Sequence, residues 1–168
     1  MQAIKILLIS DTHGKTGLLE KTILPKYADT VDMAIHLGDF AEDMLHLQPK
    51  FPDLKMIAVP GAFEAGGYDV KTIIQIVEIA PGVPVMLTHG HTLHVKNNLT
   101  TIAMAAAERN VRACFFGHSH VPVIFESENN SIFFMNPGSL TEPRTMPYAS
   151  YGLITYDKGK FEGSLIKI

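Results

Sequence analysis

Five short polar segments of this sequence carry side chains that can bind metal ions or transfer protons, and each segment directly follows an apolar run. They are Asp11-Thr12-His13, Gly38-Asp39, Gly61-Ala62-Phe63-Glu64, Thr88-His89-Gly90-His91 and Gly117-His118-Ser119-His120. Imidazole and carboxylate groups are the nitrogen and oxygen ligands of zinc, manganese, iron and nickel. Their number exceeds the need of one tetrahedral ion and suits two ions about 3.5–4 Å apart, bridged by a carboxylate.

Three of these segments also have a purely structural interpretation when each is taken alone. Asp11 is a residue type that caps helices, Gly38-Asp39 is an ordinary turn, and His118 and His120 could be surface histidines. The chemical interpretation rests on their combination, because residues i and i+2 of a strand-end segment point the same way. His36 lies inside an apolar run, which favours a hydrogen-bonded core histidine.

The apolar runs before the polar segments predict β-strands in the first half of the chain. Strands are expected over Ala3–Ile9, Val31–Leu37 and Leu54–Val59, because these runs are apolar without regular polar alternation. Between them, helices are expected near Leu18–Leu24, ended or bent by Pro25, and over Glu42–Leu47. The order β-α-β-α-β predicts a sheet with helices on its faces.

The second half is richer in strands. One helix is expected over Asn98–Arg109, with Asn98 or Thr100 as its N-cap. Thr72–Ile79 is interpreted as a strand, with a helix as the alternative. Six more strands are expected at Val83–Leu87, Val111–Phe116, Val121–Glu126, Ser131–Met135, Tyr151–Tyr156 and Phe161–Ile166. Together these elements predict an α/β fold of two packed β-sheets flanked by helices. If several strands are parallel, the polar segments converge at their carboxyl ends.

Length and composition limit the class of protein. The 168 residues, 46% hydrophobic and 18% charged, predict a single globular domain over 1–168 and exclude disorder, collagen and coiled coil. No apolar run reaches about 18 residues, the start lacks signal-peptide features, and the single cysteine excludes an internal disulfide. We therefore expect a cytoplasmic protein without a membrane partner. The net charge of −3, without any Lys/Arg cluster, argues against long nucleic acid as a partner.

Four of the polar segments resemble the motifs of the calcineurin-like metallophosphoesterase superfamily. These are Asp11-Thr12-His13, Gly38-Asp39, Thr88-His89-Gly90-His91 and Gly117-His118-Ser119-His120. The length and the segment Asn136-Pro137-Gly138-Ser139 resemble its small prokaryotic phosphodiesterase branch, which is similar to the retromer subunit of eukaryotes. The resemblance runs from Ile4 to about Tyr156 and implies a four-layer α/β/β/α sandwich.

The resemblance also implies a role for each site residue. Asp11, His13 and His120 would bind a first divalent ion, Asp39 would bridge two ions and position a hydroxide, and His89 and His118 would bind the second ion. Manganese is the expected metal, with nickel, iron or zinc as alternatives. The hydroxide between the ions would attack phosphorus in line. His91 is expected in the second shell or beside the leaving group, with a solvated loop position as the alternative. Asn136 and Ser139 are expected to contact substrate, with a plain turn over this segment as the alternative.

The third polar segment departs from the family pattern. The family usually places Asn and then a variable residue or His after the glycine, and the Asn carbonyl oxygen binds the second metal. This chain has Ala62, which offers no ligand atom, and Phe63, which cannot donate a proton. We expect weaker binding of the second ion, with water or Glu64 in the vacant position, and a leaving group protonated by water or His91.

These observations lead to two hypotheses from different classes. The first is a metal-dependent phosphoesterase, a hydrolase that acts on small phosphodiesters. The alternative is a metal-binding scaffold or interaction protein with little or no catalysis, which the Ala62-Phe63 departure favours. The six metal-type side chains favour the enzyme, since a scaffold has no physical need for all of them. The resemblance leaves a homodimer open.

Overall fold

The computed structural model describes residues 2–64, 73–129, 131–143 and 146–168. These residues form ten β-strands in two five-stranded sheets. The strands are β1 Ile4–Ile9, β2 Met33–His36, β3 Lys55–Ala58, β4 Ile74–Ala80, β5 Val83–Thr88, β6 Ala113–Phe116, β7 Val123–Glu126, β8 Phe133–Asn136, β9 Ser150–Asp157 and β10 Lys160–Lys167. The predicted α/β fold of two packed sheets is confirmed.

Both sheets contain three parallel strands; antiparallel strands flank them on one side in the first sheet and on both sides in the second. The first sheet has the order β10-β9-β1-β2-β3, in which β1, β2 and β3 are parallel and β9 runs antiparallel to β1. The second has the order β4-β5-β6-β8-β7, in which β5, β6 and β8 are parallel. Five of these six parallel strands lead directly into the polar segments predicted to carry the chemistry.

Three apolar clusters divide the molecule into four layers. Leu8, Ile35, Leu87, Phe115 and Ile154 belong to the cluster shared by both sheets. Their neighbours on the same strands, Leu7 and Phe116 among them, belong to two further clusters that contain the helical segments. Both faces of the central strands are therefore buried, which explains why their sequences are continuously apolar. The resulting order of layers is helix, sheet, sheet, helix.

The helical segments are short. A π-helical turn, Leu19–Ile23, leads into α1, Leu24–Tyr27, and α2 covers Glu42–Leu45. One 3₁₀ turn, Gln48–Lys50, precedes β3, and another, His91–Leu93, follows β5 directly after Gly90. The helix α3 covers Thr100–Glu108. None of the described helices has both the length and the hydropathy that a membrane span requires.

Two local expectations need correction. Pro25 does not end the first helical segment: the π-helical turn passes into α1 at Leu24, and Pro25 lies in the first turn of α1. The N-cap position of α3 is Leu99, without a side-chain cap, whereas Asn98 Oδ1 accepts the Thr100 N–H at 3.0 Å.

The segment interpreted as a strand from Thr72 pairs with β5 over Ile74–Ala80, which excludes the helical alternative there. Thr72 itself lies outside the described residues.

Candidate metal centre

The six side chains predicted to bind metal lie together at the carboxyl ends of the parallel strands. Their ligand atoms form two groups, and within each group all atoms are within 4.8 Å of one another. The first group contains Asp11, His13, Asp39 and His120, and the second contains Asp39, His89 and His118. Asp39 is common to both. Strands of the two sheets therefore contribute to each group, as expected if parallel strand ends converge.

The first group contains buried polar atoms without hydrogen bonds. Asp11 Oδ1 lies 3.0 Å from His120 Nε2 and 3.9 Å from His13 Nε2, and His13 Nε2 is 3.9 Å from Asp39 Oδ2. Asp11 Oδ1 and His13 Nε2 are buried without a hydrogen-bond partner. Most buried polar atoms have a partner. Two unpaired ligand atoms pointing into one space fit a cation between them.

Two histidines are held with a lone pair towards this space. His120 Nδ1 lies 2.6 Å from the Glu142 carbonyl oxygen, and His89 Nδ1 lies 2.7 Å from that of Leu37. A carbonyl oxygen only accepts, so each Nδ1 carries the hydrogen, and the neutral ring presents a bare Nε2. These Nε2 atoms face Asp11 Oδ1 at 3.0 Å and Asp39 Oδ1 at 3.3 Å. Two acceptor atoms can face each other at this distance only if a proton or a cation lies between them. Metal-binding histidines are commonly oriented in this way by a carbonyl oxygen.

The second group has fewer ligands. Its three side chains include His118, whose Nδ1 is 3.1 Å from His89 Nε2. His91 lies beside them, with its ring centroid 5.5 Å from that of His89 and 6.0 Å from that of His118, and its Nδ1 is buried without a partner. The first group offers four side chains to a cation and the second offers three, so the two groups should differ in their affinity for a cation.

The electrostatic environment shifts the pKa values of the cluster residues in ways that favour a bound cation. Burial alone would raise the pKa of Asp39, but His89, the Phe63 N–H and His13 outweigh it, so the pKa lies well below its usual range. Burial, with the charges of His89 and Lys96, lowers the pKa of His118 to about 4, so this ring is neutral at neutral pH. Burial lowers the pKa of His89, yet Asp39 and Asp11 raise it more. Without a cation, His89 therefore tends to hold a proton that a metal ion would replace.

The loops reach this geometry through left-handed backbone rather than extended backbone. Positive φ values occur at Asp11 (57°), His13 (49°), Asp39 (56°), His118 (67°) and His120 (60°). This region is uncommon for residues with a Cβ, although Asp and His are enriched there, and such strain clusters at functional sites. The Asp-x-His and His-x-His spacings therefore work through sharp turns after the strands, which corrects the strand-like rationale.

Two glycines allow the loops after β2 and β3 to meet at Asp39. A Cβ on Gly38 would lie 2.6 Å from the Gly61 nitrogen, and the φ of Gly38 is 94°. A Cβ on Gly61 would overlap the backbone nitrogen and Oδ1 of Asp39. Close approach of backbone requires glycine at both positions.

A buried network outside the motifs supports two ligand loops. His36 Nδ1 accepts the Gly38 N–H at 3.1 Å, so its Nε2 carries the hydrogen and donates to Thr12 Oγ1 at 3.0 Å. Thr12 Oγ1 in turn donates to Asp43 Oδ2 at 2.7 Å, which also accepts the Gly14 N–H. His36 is the hydrogen-bonded core histidine expected. The contributions of Thr12 and Asp43 were missed, because neither residue type signals a partner so distant in sequence.

Asn136 and Ser139 position loops and do not face a substrate. Asn136 is completely buried, and its Nδ2 donates to the Gly117 carbonyl at 2.9 Å while its Oδ1 accepts the Gly138 N–H. Ser139 is 1% exposed and donates to the Asp11 carbonyl at 2.9 Å. The expectation of direct substrate contact therefore needs correction: burial and internal hydrogen bonds occupy both side chains.

The Glu64 carboxylate accepts backbone hydrogen bonds and does not take the metal-ligand position expected for it. Its Oε1 accepts the Ala41 N–H at 2.6 Å and its Oε2 accepts the Gly61 N–H at 3.0 Å. It belongs to neither group of ligand atoms. Glu64 therefore joins the loops after β2 and β3, and its hydrogen bonds oppose the expectation that it replaces the missing Asn ligand beside Ala62.

The model of the calcineurin-like phosphoesterase superfamily domain matches residues 4–159. This chain belongs to that superfamily. It is 30% identical over 155 residues to "Probable metallophosphoesterase YsnB" of Bacillus subtilis (strain 168), which covers 92% of this chain and 85% of that protein. The family and this relative confirm that the chain is a metallophosphoesterase, a hydrolase whose family implies divalent metal ions.

Solved structures agree on the fold. A predicted phosphoesterase from Streptococcus pneumoniae TIGR4 has a TM-score of 0.78 and 27% identity, and the match covers 99% of this chain and 91% of that one. Vps29 from Entamoeba histolytica, complexed with zinc, has a TM-score of 0.71 and 15% identity, and covers 98% and 99%. The second likeness concerns the fold alone. The metallophosphoesterase sandwich expected from the motifs is therefore confirmed.

The His36 network makes the stability depend on pH. Burial lowers the pKa of His36 from 6.5 to about 4. Between pH 6.5 and 4 the unfolded chain binds a proton at His36 that the folded chain does not bind. Acidification through this range therefore lowers the contribution of His36 to the unfolding free energy, by about 3 kcal/mol over the whole range. We expect His36→Asn to lower stability at pH 7 and to reduce the loss between pH 6.5 and 4.5. Urea unfolding across this range, in chelator, measures both effects.

The matched control for this measurement is His46→Asn, since the His46 side chain is 80% exposed. This variant should keep the pH dependence of the unmodified protein. Equal pH slopes for His36→Asn and the unmodified protein would contradict the role assigned to His36.

Proposed function

We propose that this protein is a phosphodiesterase that hydrolyses small phosphodiesters with two divalent ions, manganese first among them. The observation that carries the proposal is the shared Asp39 carboxylate, whose Oδ1 faces His89 Nε2 at 3.3 Å and whose Oδ2 faces His13 Nε2 at 3.9 Å. One oxygen towards each group suits a bridging ligand. Asp11, His13 and His120 would hold one ion, and His89 and His118 the other.

The bound ions would supply a water of lowered pKa as nucleophile and would neutralise charge on the phosphoryl oxygens. The protein's own contribution is orientation. The carbonyls of Glu142 and Leu37 fix the rings of His120 and His89 with Nε2 inward. Asn136, Ser139 and Thr12 brace the loops through buried hydrogen bonds, which keeps ligand atoms in place before substrate arrives.

Three observations support a small diester as the substrate. The length and the Asn136–Ser139 segment resemble the phosphodiesterase branch of the family. Apolar rings, Phe40 and Phe63, border His13, and an organic ester group is a suitable neighbour for them. The net charge of −3 disfavours long nucleic acids, whose binding depends on many cationic contacts to phosphates.

His91 is proposed to protonate the leaving group. Its ring lies within 6.0 Å of both His89 and His118, and its Nδ1 has no hydrogen-bond partner. Phe63 cannot take this role, whereas His91 is a titratable side chain directly beside the second set of ligands.

The first prediction tests the reaction itself. We expect cleavage of bis-p-nitrophenyl phosphate that requires added manganese, ends on chelation, and exceeds cleavage of p-nitrophenyl phosphate. Asp39→Asn should lower the diester rate at least about 100-fold, because it weakens a shared ligand. His46→Asn, altered at an exposed side chain, should retain full activity. Absence of turnover of either ester at saturating metal would overturn the proposal and favour the metal-binding scaffold.

A second prediction concerns the ion bound by the three-ligand group. Ala62→Asn should restore a carbonyl oxygen at the position where the family has one and tighten the weaker of two manganese sites about 10-fold. Equilibrium dialysis with metal analysis measures the stoichiometry and both dissociation constants. Ala107→Asn makes the same change at an exposed position of α3 and should leave both constants unchanged. No gain at the weaker site would rule out the missing ligand as the cause of weak binding.

A third prediction tests His91 through the leaving group. His91→Asn should lower the rate on diphenyl phosphate, whose leaving group is poor, by about 100-fold, because protonation limits that reaction. The rate on bis-p-nitrophenyl phosphate should change little, since p-nitrophenolate leaves without a proton. Equal losses on both substrates would show that His91 positions the centre and does not donate a proton.

A further inference from the structure

Two exposed phenylalanine rings stand at the rim of the metal centre. Phe63 is 71% exposed and Phe40 is 39% exposed, and their centroids are 6.0 Å apart at an angle of 42°. Both rings flank His13, with centroid distances of 5.6 Å for Phe63 and 5.7 Å for Phe40. We propose that Phe40 and Phe63 form a platform that binds a planar aromatic group of the substrate, a nucleobase or an aryl ester. This inference rests on the proposed function and specifies its substrate.

The position of the platform relates it to the reacting phosphate. The Nε2 of His13, the ring between the platform and the cluster, is 3.9 Å from both Asp11 Oδ1 and Asp39 Oδ2. A phosphoryl group at the cluster would therefore place one ester substituent over Phe40 and Phe63. Those rings offer no hydrogen-bonding groups. The platform should accordingly bind aromatic substituents without strong discrimination between bases.

Hydrogen bonds connect the loops that carry the two rings to each other and to the ligand cluster. The Phe63 N–H donates to Asp39 Oδ1 at 3.2 Å, which connects this residue directly to the shared carboxylate. Glu64 accepts the N–H groups of Gly61 and Ala41, so the loops that carry the two rings are bound to each other. Hydrogen bonds that already join these loops reduce the entropy that would be lost on association.

Backbone strain gives a second, independent observation. Phe40 has a φ of 71°, in a region that bulky residues rarely adopt. Its carbonyl oxygen lies 3.2 Å from Thr12 Oγ1, the hydroxyl that belongs to the network supporting the ligand loops. Because the Phe40 ring is exposed, its burial in the apolar core does not offset the cost of this backbone conformation. Persistent strain of this kind is characteristic of ligand-binding positions.

The chain offers a direct spectroscopic test, because it contains no tryptophan. Phe63→Trp introduces a single tryptophan at the platform, and a stacked nucleobase quenches its fluorescence. In manganese-loaded protein we expect saturable quenching by adenosine 5′-monophosphate and none by ribose 5-phosphate. Met104→Trp is the matched control, since Met104 is 59% exposed on α3, in the outer helical layer. It should show no saturable quenching.

Isothermal titration calorimetry on the unmodified protein, which has no tryptophan, measures the affinity for each ligand. The nucleotide should bind about 10-fold more tightly than ribose 5-phosphate, as expected from one stacked base. Phe63→Leu should reduce this ratio towards one and leave the affinity for ribose 5-phosphate unchanged. Competition with phenyl phosphate distinguishes an aryl preference from a nucleobase preference. Equal affinities for the nucleotide and the sugar phosphate, or absence of quenching in Phe63→Trp, would overturn the platform.

The two proposals can fail separately. Quenching and the Phe63-dependent affinity ratio without turnover of any diester would reject the phosphodiesterase and retain the aromatic platform. Turnover of diesters at rates independent of Phe63, with equal affinities for nucleotide and sugar phosphate, would reject the platform and retain the enzyme.

Discussion

The Asp39 carboxylate is the group around which the two sheets are joined at their functional edge. It follows β2 of the first sheet, accepts the Phe63 N–H from the loop after β3, and faces His89 from β5 of the second sheet. Gly38 and Gly61 permit the backbone approach that brings these loops together. A change at this carboxylate therefore affects both groups of metal ligands and the rim of the site at once. No other described side chain belongs to both groups.

This arrangement is unfavourable for an isolated chain, and that is informative. Two buried carboxylates face imidazole nitrogens whose other nitrogen already donates to a carbonyl. Several ligand residues also adopt left-handed backbone, at about 1–3 kcal/mol each. A divalent cation removes the electrostatic part of this cost. The apolar packing between and outside the sheets offsets the remainder, so the fold stabilises a site that would not be stable alone.

The sequence predicts those features that depend on residue type and on strand ends. Apolar runs indicated the strands, and His and Asp after the runs indicated a metal centre, because convergence follows from parallel strands. Features that depend on distant partners could not be predicted. Asn136 and Ser139 were expected near substrate, yet their hydrogen bonds to Gly117 and Asp11 bury them. Thr12 and Asp43 lie 31 positions apart and meet only in the folded chain.

The loop Gly61–Glu64 shows how one departure from a motif affects chemistry in two ways. Ala62 offers no ligand atom, and the second group contains three side chains. Phe63 presents an exposed ring, yet its backbone N–H still supports the shared carboxylate. Glu64 fastens the loop to Ala41 and keeps that ring beside Phe40. The loop thus retains its supporting contacts through its backbone and Glu64, while the side chains at its tip, Ala62 and Phe63, present apolar surface and no ligand atoms beside the candidate metal centre.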